Sequence, residues 1–214
     1  MKSRIALFLH HPKCSVQSVN GIIEALSEHY KFKIFTRHEV ERDFFDDVSA
    51  VCFPGGVGDV DSYDRLLPKH ISSIREFVQR GGKYLGICMG AYWAGKNYFN
   101  ILNDLDSVQY IRQPTAETRR PHAKAMPVIW DNIPHNMYFY DGCTYTGNGQ
   151  FQRISSYPNG DPMAIIQNNV GLIGCHPESQ KHWFDDYSWM KKHWHMGKHH
   201  TLLLDFVKKF LKNQ

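Results

Sequence analysis

The stretch that decides the fold is residues 83–94, KYLGICMGAYWA, in which Cys88 stands between Gly86 and Gly90. The apolar residues before Cys88 favour a strand, and those after it favour a helix. Small residues two places before and two places after a nucleophile are typical of the tight strand-to-helix turn called a nucleophile elbow. Such a turn lifts the central side chain out of the sheet and toward the helix N-terminus, where the helix dipole favours a thiolate. The alternative is a glycine-rich turn that carries an inert, buried thiol.

Strand-like and helix-like segments alternate around this turn. Short apolar runs typical of buried strands occupy residues 5–9, 32–35, 48–53, 83–87 and 170–175. Apolar residues recur at helical spacing in residues 16–26, 71–78 and 201–212. This order predicts an α/β fold in which helices cover both faces of a mostly parallel sheet.

Residues 109–167 have a different pattern, with short β-like runs separated by turns rich in aspartate, asparagine and glycine. The runs are residues 127–130, 137–140, 151–155 and 163–166. We interpret this region as an antiparallel β insertion or edge extension, and we expect residues 1–214 to form a single domain.

Composition limits the class of protein. A net charge of +4 without a basic and aromatic groove argues against a nucleic-acid partner. No apolar run is long enough to span a membrane, and residues 1–12 do not have the pattern of a secretory signal. Five cysteines, an odd number without a CxxC pair, favour a cytoplasmic location. No motif for a cofactor is present, and none is expected.

A catalytic thiol needs a base, and the residues after the run 170–175 offer one. His176 is predicted to take the proton of Cys88, and Glu178 to accept a hydrogen bond from the other ring nitrogen of His176. Pro177 between them fixes the turn, so both side chains are expected to project to the same side.

An oxyanion hole is predicted from the glycine turn 54–56, which ends the run 48–53. The backbone N–H groups of Gly56 and Met89 are expected to form it. The turn, the cysteine and the His-Pro-Glu segment each lie at the carboxyl end of a predicted parallel strand, where ligands bind in such sheets. We therefore expect them to meet in one site.

Other residues are weaker candidates for substrate contact. Gly55, Tyr92 and Asp59 are predicted to line the same site, although helix capping also accounts for Asp59. The segment 181–200 is rich in histidine and tryptophan. Its histidine spacing does not fit a tetrahedral metal site, so we predict no metal and a solvated surface segment. Its tryptophans are expected to pack or to form part of a lid.

The three segments together resemble the signature stretches of class I glutamine amidotransferases. They are residues 54–56 (PGG), 86–90 (GICMG) and 174–179 (GCHPES). The resemblance implies a flavodoxin-like α/β fold and a thioester mechanism. It also implies that Cys88 is the nucleophile, His176 the base and Glu178 the orienting carboxylate. The backbone amides of Gly56 and Met89 would then form the oxyanion hole.

A closer resemblance, to the amidotransferase-like N-terminal domain of eukaryotic biotin-protein ligases, rests on residues 53–56, 81–88, 91–93 and 138–143. Two departures bear on function. Class I glutaminases usually carry glutamine where this chain has Tyr92. The chain also lacks the Gly-Arg-Gly-Arg loop that a biotin ligase uses for biotinyl-adenylate, so it is not expected to ligate biotin by itself.

Three functions follow as hypotheses. The first is a cysteine-dependent amidase or amidotransferase acting on a small amide, with a separate ligase or synthetase as a partner in any transfer. The second is a catalytically idle module that binds a metabolite or regulates a partner through the same cleft. The third is a small thiol peptidase or hydrolase.

Overall fold

The computed structural model describes residues 2–9, 16–39, 42–56, 63 and 70–212. The strands are β1 (Arg4–Phe8), β2 (Lys31–Phe35), β3 (Ala50–Phe53), β4 (Lys83–Ile87), β5 (Leu105–Gln109), β6 (Lys124–Trp130), β7 (Ile133–Phe139), β8 (Cys143–Gly147), β9 (Gln152–Ser156), β10 (Pro162–Gln167) and β11 (Val170–Ile173). The helices are α1 (Val16–Leu26), α2 (Ile71–Gln79), α3 (Met89–Tyr92), α4 (Lys181–Asp185) and α5 (Lys198–Lys212). Short 3-10 helices occupy Arg42–Phe45, Tyr110–Arg112 and Lys191–His193.

A large mixed sheet organises the described residues, in the order β2-β1-β3-β4-β11-β10-β9-β6-β7. The strands from β2 to β11 in this order are parallel, and β10, β9, β6 and β7 extend the same sheet with antiparallel pairs. The predicted α/β fold with an antiparallel region is therefore confirmed, and most of that region continues the sheet. Only β5 and β8 form a separate two-stranded sheet.

Helices bury both faces of the parallel half, as its continuous apolar strands require. In β1, Ile5 and Leu7 join the cluster under α1 and α5, whereas Ala6 and Phe8 join the cluster under α2 and α3. The alternation of side chains along each strand thus supplies two cores. No helix in the described ranges has the length and apolar character needed to cross a membrane.

The sheet order brings the predicted site segments together. Strands β3, β4 and β11 are direct neighbours, with Phe53 paired to Gly86 and Ile173 paired to Ile87. Because all three strands run in the same direction, the chain leaves each of them at one edge of the sheet. The glycine turn, Cys88 and the His-Pro-Glu segment follow these three ends directly.

Candidate active site

The turn at Cys88 has the geometry that the glycines predict. Cys88 has φ 48° and ψ −104°, a conformation that non-glycine residues rarely adopt. A Cβ on Gly86 would lie 2.5 Å from the carbonyl oxygen of Gly90, and a Cβ on Gly90 would lie 2.0 Å from that of Phe53. Neither position has room for a side chain, so the tight turn depends on both glycines.

The helix after the turn is shorter than the sequence suggests. Helix α3 contains only four residues, and turns follow it. A macrodipole grows with the number of aligned peptide units, so four residues give little of the thiolate stabilisation that we expected from a full helix.

A buried hydrogen-bonded relay lies beside the cysteine. His176 Nδ1 is 2.8 Å from Glu178 Oε1, and the hydroxyl of Ser18 donates to the same Oε1 at 2.7 Å. The Ser18 hydroxyl oxygen in turn accepts a hydrogen bond from the backbone N–H of Gly55 at 3.0 Å. Glu178 is completely buried and His176 is 6% exposed. The relay therefore fixes the imidazole with Nδ1 toward the carboxylate.

The charges around His176 stabilise its protonated form. Burial alone would lower the pKa of His176, but negative charge on Cys88 and Glu178, and hydrogen bonds to both, outweigh it and raise the pKa to about 10. Complete burial, with a smaller contribution from the same carboxylate, raises the pKa of the Cys52 thiol. A buried Glu178 carboxylate thus favours imidazolium at His176 and an un-ionised thiol at Cys52.

Close packing holds the imidazole in place. A Cβ on Gly55 would lie 2.6 Å from Cε1 of His176. The rings of Trp183 and Tyr138 meet the imidazole edge to face, with centroids 5.5 and 5.8 Å away, and the backbone N–H of His176 donates to the Tyr138 carbonyl at 2.9 Å. These contacts, together with the bond to Glu178, fix the orientation of the ring.

A cavity of about 860 Å³ opens at this edge of the sheet, and Cys88 and His176 both line it. Gly56, Met89 and Tyr92 line it as well. The cavity is large enough for a small-molecule substrate. Sulfur Sγ of Cys88 is also 3.8 Å from the carbonyl oxygen of Tyr140, which is therefore a second acceptor for the thiol hydrogen.

Gly55 supports the relay. Its backbone N–H is bonded to Ser18, and its lack of a side chain gives room to the His176 ring. Gly55 is not among the residues that line the cavity, and its contact with a substrate stays a prediction. Asp59 lies outside the described residues.

Tyr92 is buried, and its hydroxyl is 3.1 Å from the carbonyl oxygens of Asp141 and Gly142. The ring therefore forms one wall of the cavity while its hydroxyl holds the loop after β7. Burial raises the pKa of this phenol well above its ordinary value, so the hydroxyl stays un-ionised.

Several residues of the site were not predicted. Ser18 belongs to the relay, and Asp141 belongs to the cavity wall. Ser18 and Glu178 are separated by 160 positions, so no local spacing could have paired them. The stretch 138–143 was noted only for its resemblance, and its position after a β-like run was the one signal for Asp141.

The other two cysteines near the site segments are not part of the cavity wall. Cys143 Sγ is 3.5 Å from the Tyr145 hydroxyl, and Cys175 Sγ is 3.8 Å from the Tyr157 hydroxyl. Burial raises the pKa of both thiols. Cys88 is thus the cysteine that faces the cavity in the described residues.

Part of the segment 181–200 is buried, contrary to the prediction of a solvated surface. His195 and His199 are only 7% and 3% exposed. Nε2 of His195 is 3.1 Å from the Ser179 carbonyl oxygen, and its Nδ1 accepts from the backbone N–H of His199 at 3.3 Å. Both nitrogens of a neutral imidazole are therefore bonded, which makes burial of this polar ring acceptable. Of the tryptophans, Trp183 packs beside His176 and Trp189 is exposed.

These histidines make the protein less stable in acid. Burial lowers the pKa of His195 to about 4, and burial together with nearby positive charges lowers that of His199 to about 2. Unfolded histidine titrates near 6.5, so this stability is present above that pH and is lost as the pH falls below it. We expect His199→Gln to reduce the loss in unfolding free energy between pH 7.5 and 5.0 by at most about 2 kcal/mol.

Urea unfolding of the parent and the variant at pH 7.5 and 5.0 measures this difference. A loss of stability that the variant shows equally at both pH values cancels from the comparison. His182→Gln, an exposed histidine on α4, is the control and should show the same pH dependence as the parent protein. An unchanged pH dependence in His199→Gln would contradict the titration of a buried, neutral His199.

Comparison with solved structures confirms the class of fold. A glutamine amidotransferase from Thermotoga maritima has 12% identity and a TM-score of 0.68, with 100% of both chains covered. PurLQS from Thermotoga maritima has 15% identity and a TM-score of 0.66, covering 99% of this chain and 100% of that one. A glutamine amidotransferase from Methylobacillus flagellatus has 14% identity and a TM-score of 0.58, covering 90% and 76%. The chain has the glutamine amidotransferase-like α/β fold.

The sequence relationship is more specific. Residues 10–109 match the family model described as the N-terminal part of biotin-protein ligase. This confirms the resemblance over the part of the chain that contains the glycine turn, Cys88 and Tyr92. No curated protein sequence matches the chain.

Proposed function

We propose that this protein is a cysteine-dependent amidase or amidotransferase that cleaves a small amide through a thioester on Cys88. The observation that carries the proposal is the buried relay from Ser18 through Glu178 to His176, which ends in the cavity that Cys88 lines. Burying a carboxylate and an imidazole costs folding free energy. A catalytic base and the carboxylate that orients it need this arrangement.

In the proposed reaction, the Cys88 thiolate attacks the carbonyl carbon of the amide while His176 is protonated. The backbone N–H groups of Gly56 and Met89 then stabilise the negative oxygen. The C–N bond breaks, and His176 Nε2 gives its proton to the leaving nitrogen, which departs as ammonia. The acyl group remains on sulfur as a thioester.

The second half of the reaction regenerates the thiol. Neutral His176 accepts a proton from a water molecule, whose oxygen attacks the thioester carbonyl. The C–S bond breaks, the acid is released, and the Cys88 thiolate and imidazolium are restored. Transfer of the ammonia instead of its release requires a separate ligase or synthetase, which is part of the proposal. So is the cytoplasmic location expected from the cysteine count.

Acid quenching of turnover tests the proposal directly. We expect purified protein mixed with primary amides, glutamine among them, to release ammonia and to carry an acyl group on the peptide that contains Cys88. The peptides that contain Cys52 and Cys175 are internal controls, because both thiols are fully buried and should remain unmodified. Thiol labelling with iodoacetamide should follow the same order.

The outcomes separate the three hypotheses. Ammonia without an acyl group on Cys88 would contradict the thioester mechanism. Cleavage of labelled peptides but of no primary amide would favour the thiol peptidase. An unreactive Cys88 with no product from either substrate class would contradict the proposal and leave the catalytically idle binding module.

A further inference from the structure

The wall of the cavity is unusually aromatic. Six of the side chains that line it are tyrosine or tryptophan: Tyr92, Tyr98, Tyr138, Tyr140, Trp183 and Tyr187. The face of an aromatic ring is negative, so a cation above it is attracted and an anion is repelled. Rings of this wall that turn a face to the cavity attract a ligand that carries positive charge.

The charged residues of the wall have the same preference. Asp141 and Asp186 are acidic, and Arg112 is the basic side chain among the residues that line the cavity. Arg112 and Asp186 are both exposed, and water and salt screen such charges strongly. The imidazolium of His176 is balanced by Glu178 at 2.8 Å. Asp141 is therefore the less exposed of the two carboxylates in the wall, and the positive charge of Arg112 acts on it.

One oxygen of Asp141 has no partner. Oδ2 accepts a hydrogen bond from Gln109 Nε2 at 2.9 Å, but Oδ1 is buried and makes no hydrogen bond within the described ranges. Burial raises the pKa of this carboxyl, and the bond from Gln109 opposes the rise. A buried oxygen without a partner costs about 1–3 kcal/mol, and a ligand's ammonium group would remove that cost once the Asp141 carboxyl turns toward the cavity.

Asp141 also lies close to the candidate nucleophile. The carbonyl oxygen of the preceding residue, Tyr140, is 3.8 Å from Cys88 Sγ. Asp141 has φ 55°, and the Tyr92 hydroxyl lies 3.1 Å from its carbonyl oxygen. Asp141 therefore directly follows the residue whose carbonyl oxygen contacts the Cys88 sulfur, and both Asp141 and Cys88 line the same cavity.

We propose that the amide cleaved at Cys88 carries a positively charged amine, which Asp141 and the aromatic wall recognise. This inference rests on the proposed function, because it names the substrate class of the same site. A charge-assisted hydrogen bond to a carboxylate contributes enough for a preference of about 10- to 100-fold over a neutral amide of the same length. A zwitterionic amide such as glutamine should be poorer than a simple cation.

Four primary amides test the preference. They are 5-aminopentanamide, which is cationic, hexanamide, which is neutral and of equal length, 6-amino-6-oxohexanoate, which is anionic, and glutamine. We expect kcat/KM, measured as ammonia release, to be highest for the cation and lowest for the anion. Asp141→Asn should remove most of the preference for the cation over the neutral amide.

The matched control is Asp185→Asn, an exposed aspartate on α4 that pairs with Lys181 and does not line the cavity. It should keep the full charge preference. Equal rates for cation and neutral amide in the parent protein, or a preference for the anion, would overturn the inference. So would an Asp141→Asn variant that keeps the parent's preference.

A second measurement does not depend on turnover. Chloroacetamide, chloroacetate and N-(2-aminoethyl)-2-chloroacetamide alkylate thiols and differ in charge, and their rates at Cys88 are divided by their rates with glutathione. A preference for the cationic reagent that Asp141→Asn removes, without ammonia release from any amide, would refute the enzymatic proposal but support cation recognition. Ammonia release without any charge preference would do the reverse. If Asp141→Asn unfolds, the reagent series in the parent protein decides alone.

Discussion

Replacing Glu178 with glutamine is expected to lower kcat for amide cleavage by about 10³- to 10⁴-fold, because the imidazole loses the charge that supports its protonated form. The substitution keeps an oxygen that accepts from His176 and Ser18, the two donors now bonded to Glu178 Oε1. The buried position is therefore filled by a side chain of the same shape. A loss of activity of this size would come from charge and not from a cavity.

The pH dependence of the variant shows in which direction the pKa of His176 shifts. In the parent protein the pKa of His176 is raised to about 10, so the imidazolium that protonates the leaving nitrogen persists well above neutral pH. Without the Glu178 carboxylate, only Cys88 opposes the effect of burial, so the pKa of His176 falls. We expect the alkaline limb of kcat/KM, near pH 10 in the parent, to move to lower pH in Glu178→Gln.

Titration of ¹⁵N-labelled histidine by NMR measures the same shift without turnover. The control is Glu24→Gln, which neutralises an exposed carboxylate on α1 that is bonded to Gln180. Its activity should stay within about twofold of the parent, as is usual for surface changes. An alkaline limb that stays in place in Glu178→Gln would exclude Glu178 as the source of the raised pKa.

The parts of this site that the sequence predicts are held by contacts between residues that are close together along the chain. The turn at Cys88 is a local structure, because Gly86 and Gly90 approach each other across three residues, and the sequence shows that requirement directly. The parallel strands were also recognisable, since burial on both faces makes them continuous apolar runs. The glutamine amidotransferase-like fold followed from these features.

Contacts between distant segments could not be predicted in the same way. Ser18 appears in the sequence as one polar residue of an amphipathic helix, and only the sheet order brings that helix against Glu178. Strands β5 and β8 were missed because LDSVQ and CTYTG are short and largely polar. His195 was expected in solvent because an isolated imidazole is costly to bury, but the backbone of Ser179 and His199 supplies both of its hydrogen bonds.

Gly90→Ala is the second substitution for which we expect a large effect, in this case on stability. The added Cβ would lie 2.0 Å from the carbonyl oxygen of Phe53 and 2.6 Å from its carbonyl carbon. These are backbone atoms at the end of β3, so no side-chain rotation can relieve the contact. The Gly90 N–H also donates to Pro54 O at 3.2 Å, and the Tyr84 hydroxyl donates to Gly90 O at 2.6 Å.

Because Gly90 is bonded on both sides, α3 cannot move away from β3 without breaking these hydrogen bonds. We expect Gly90→Ala to lower the free energy of unfolding by about 3 kcal/mol or more, measured with urea. Any folded fraction should react with iodoacetamide at an altered rate, since the displaced turn carries Cys88. The control is Gly171→Ala on β11, where the three atoms nearest to a Cβ would be ring atoms of Phe206 and Phe210 at 3.1 Å, so the effect should be smaller. If Gly90→Ala were as stable as the parent, the close approach of α3 to β3, and with it the strained backbone of Cys88, would be refuted.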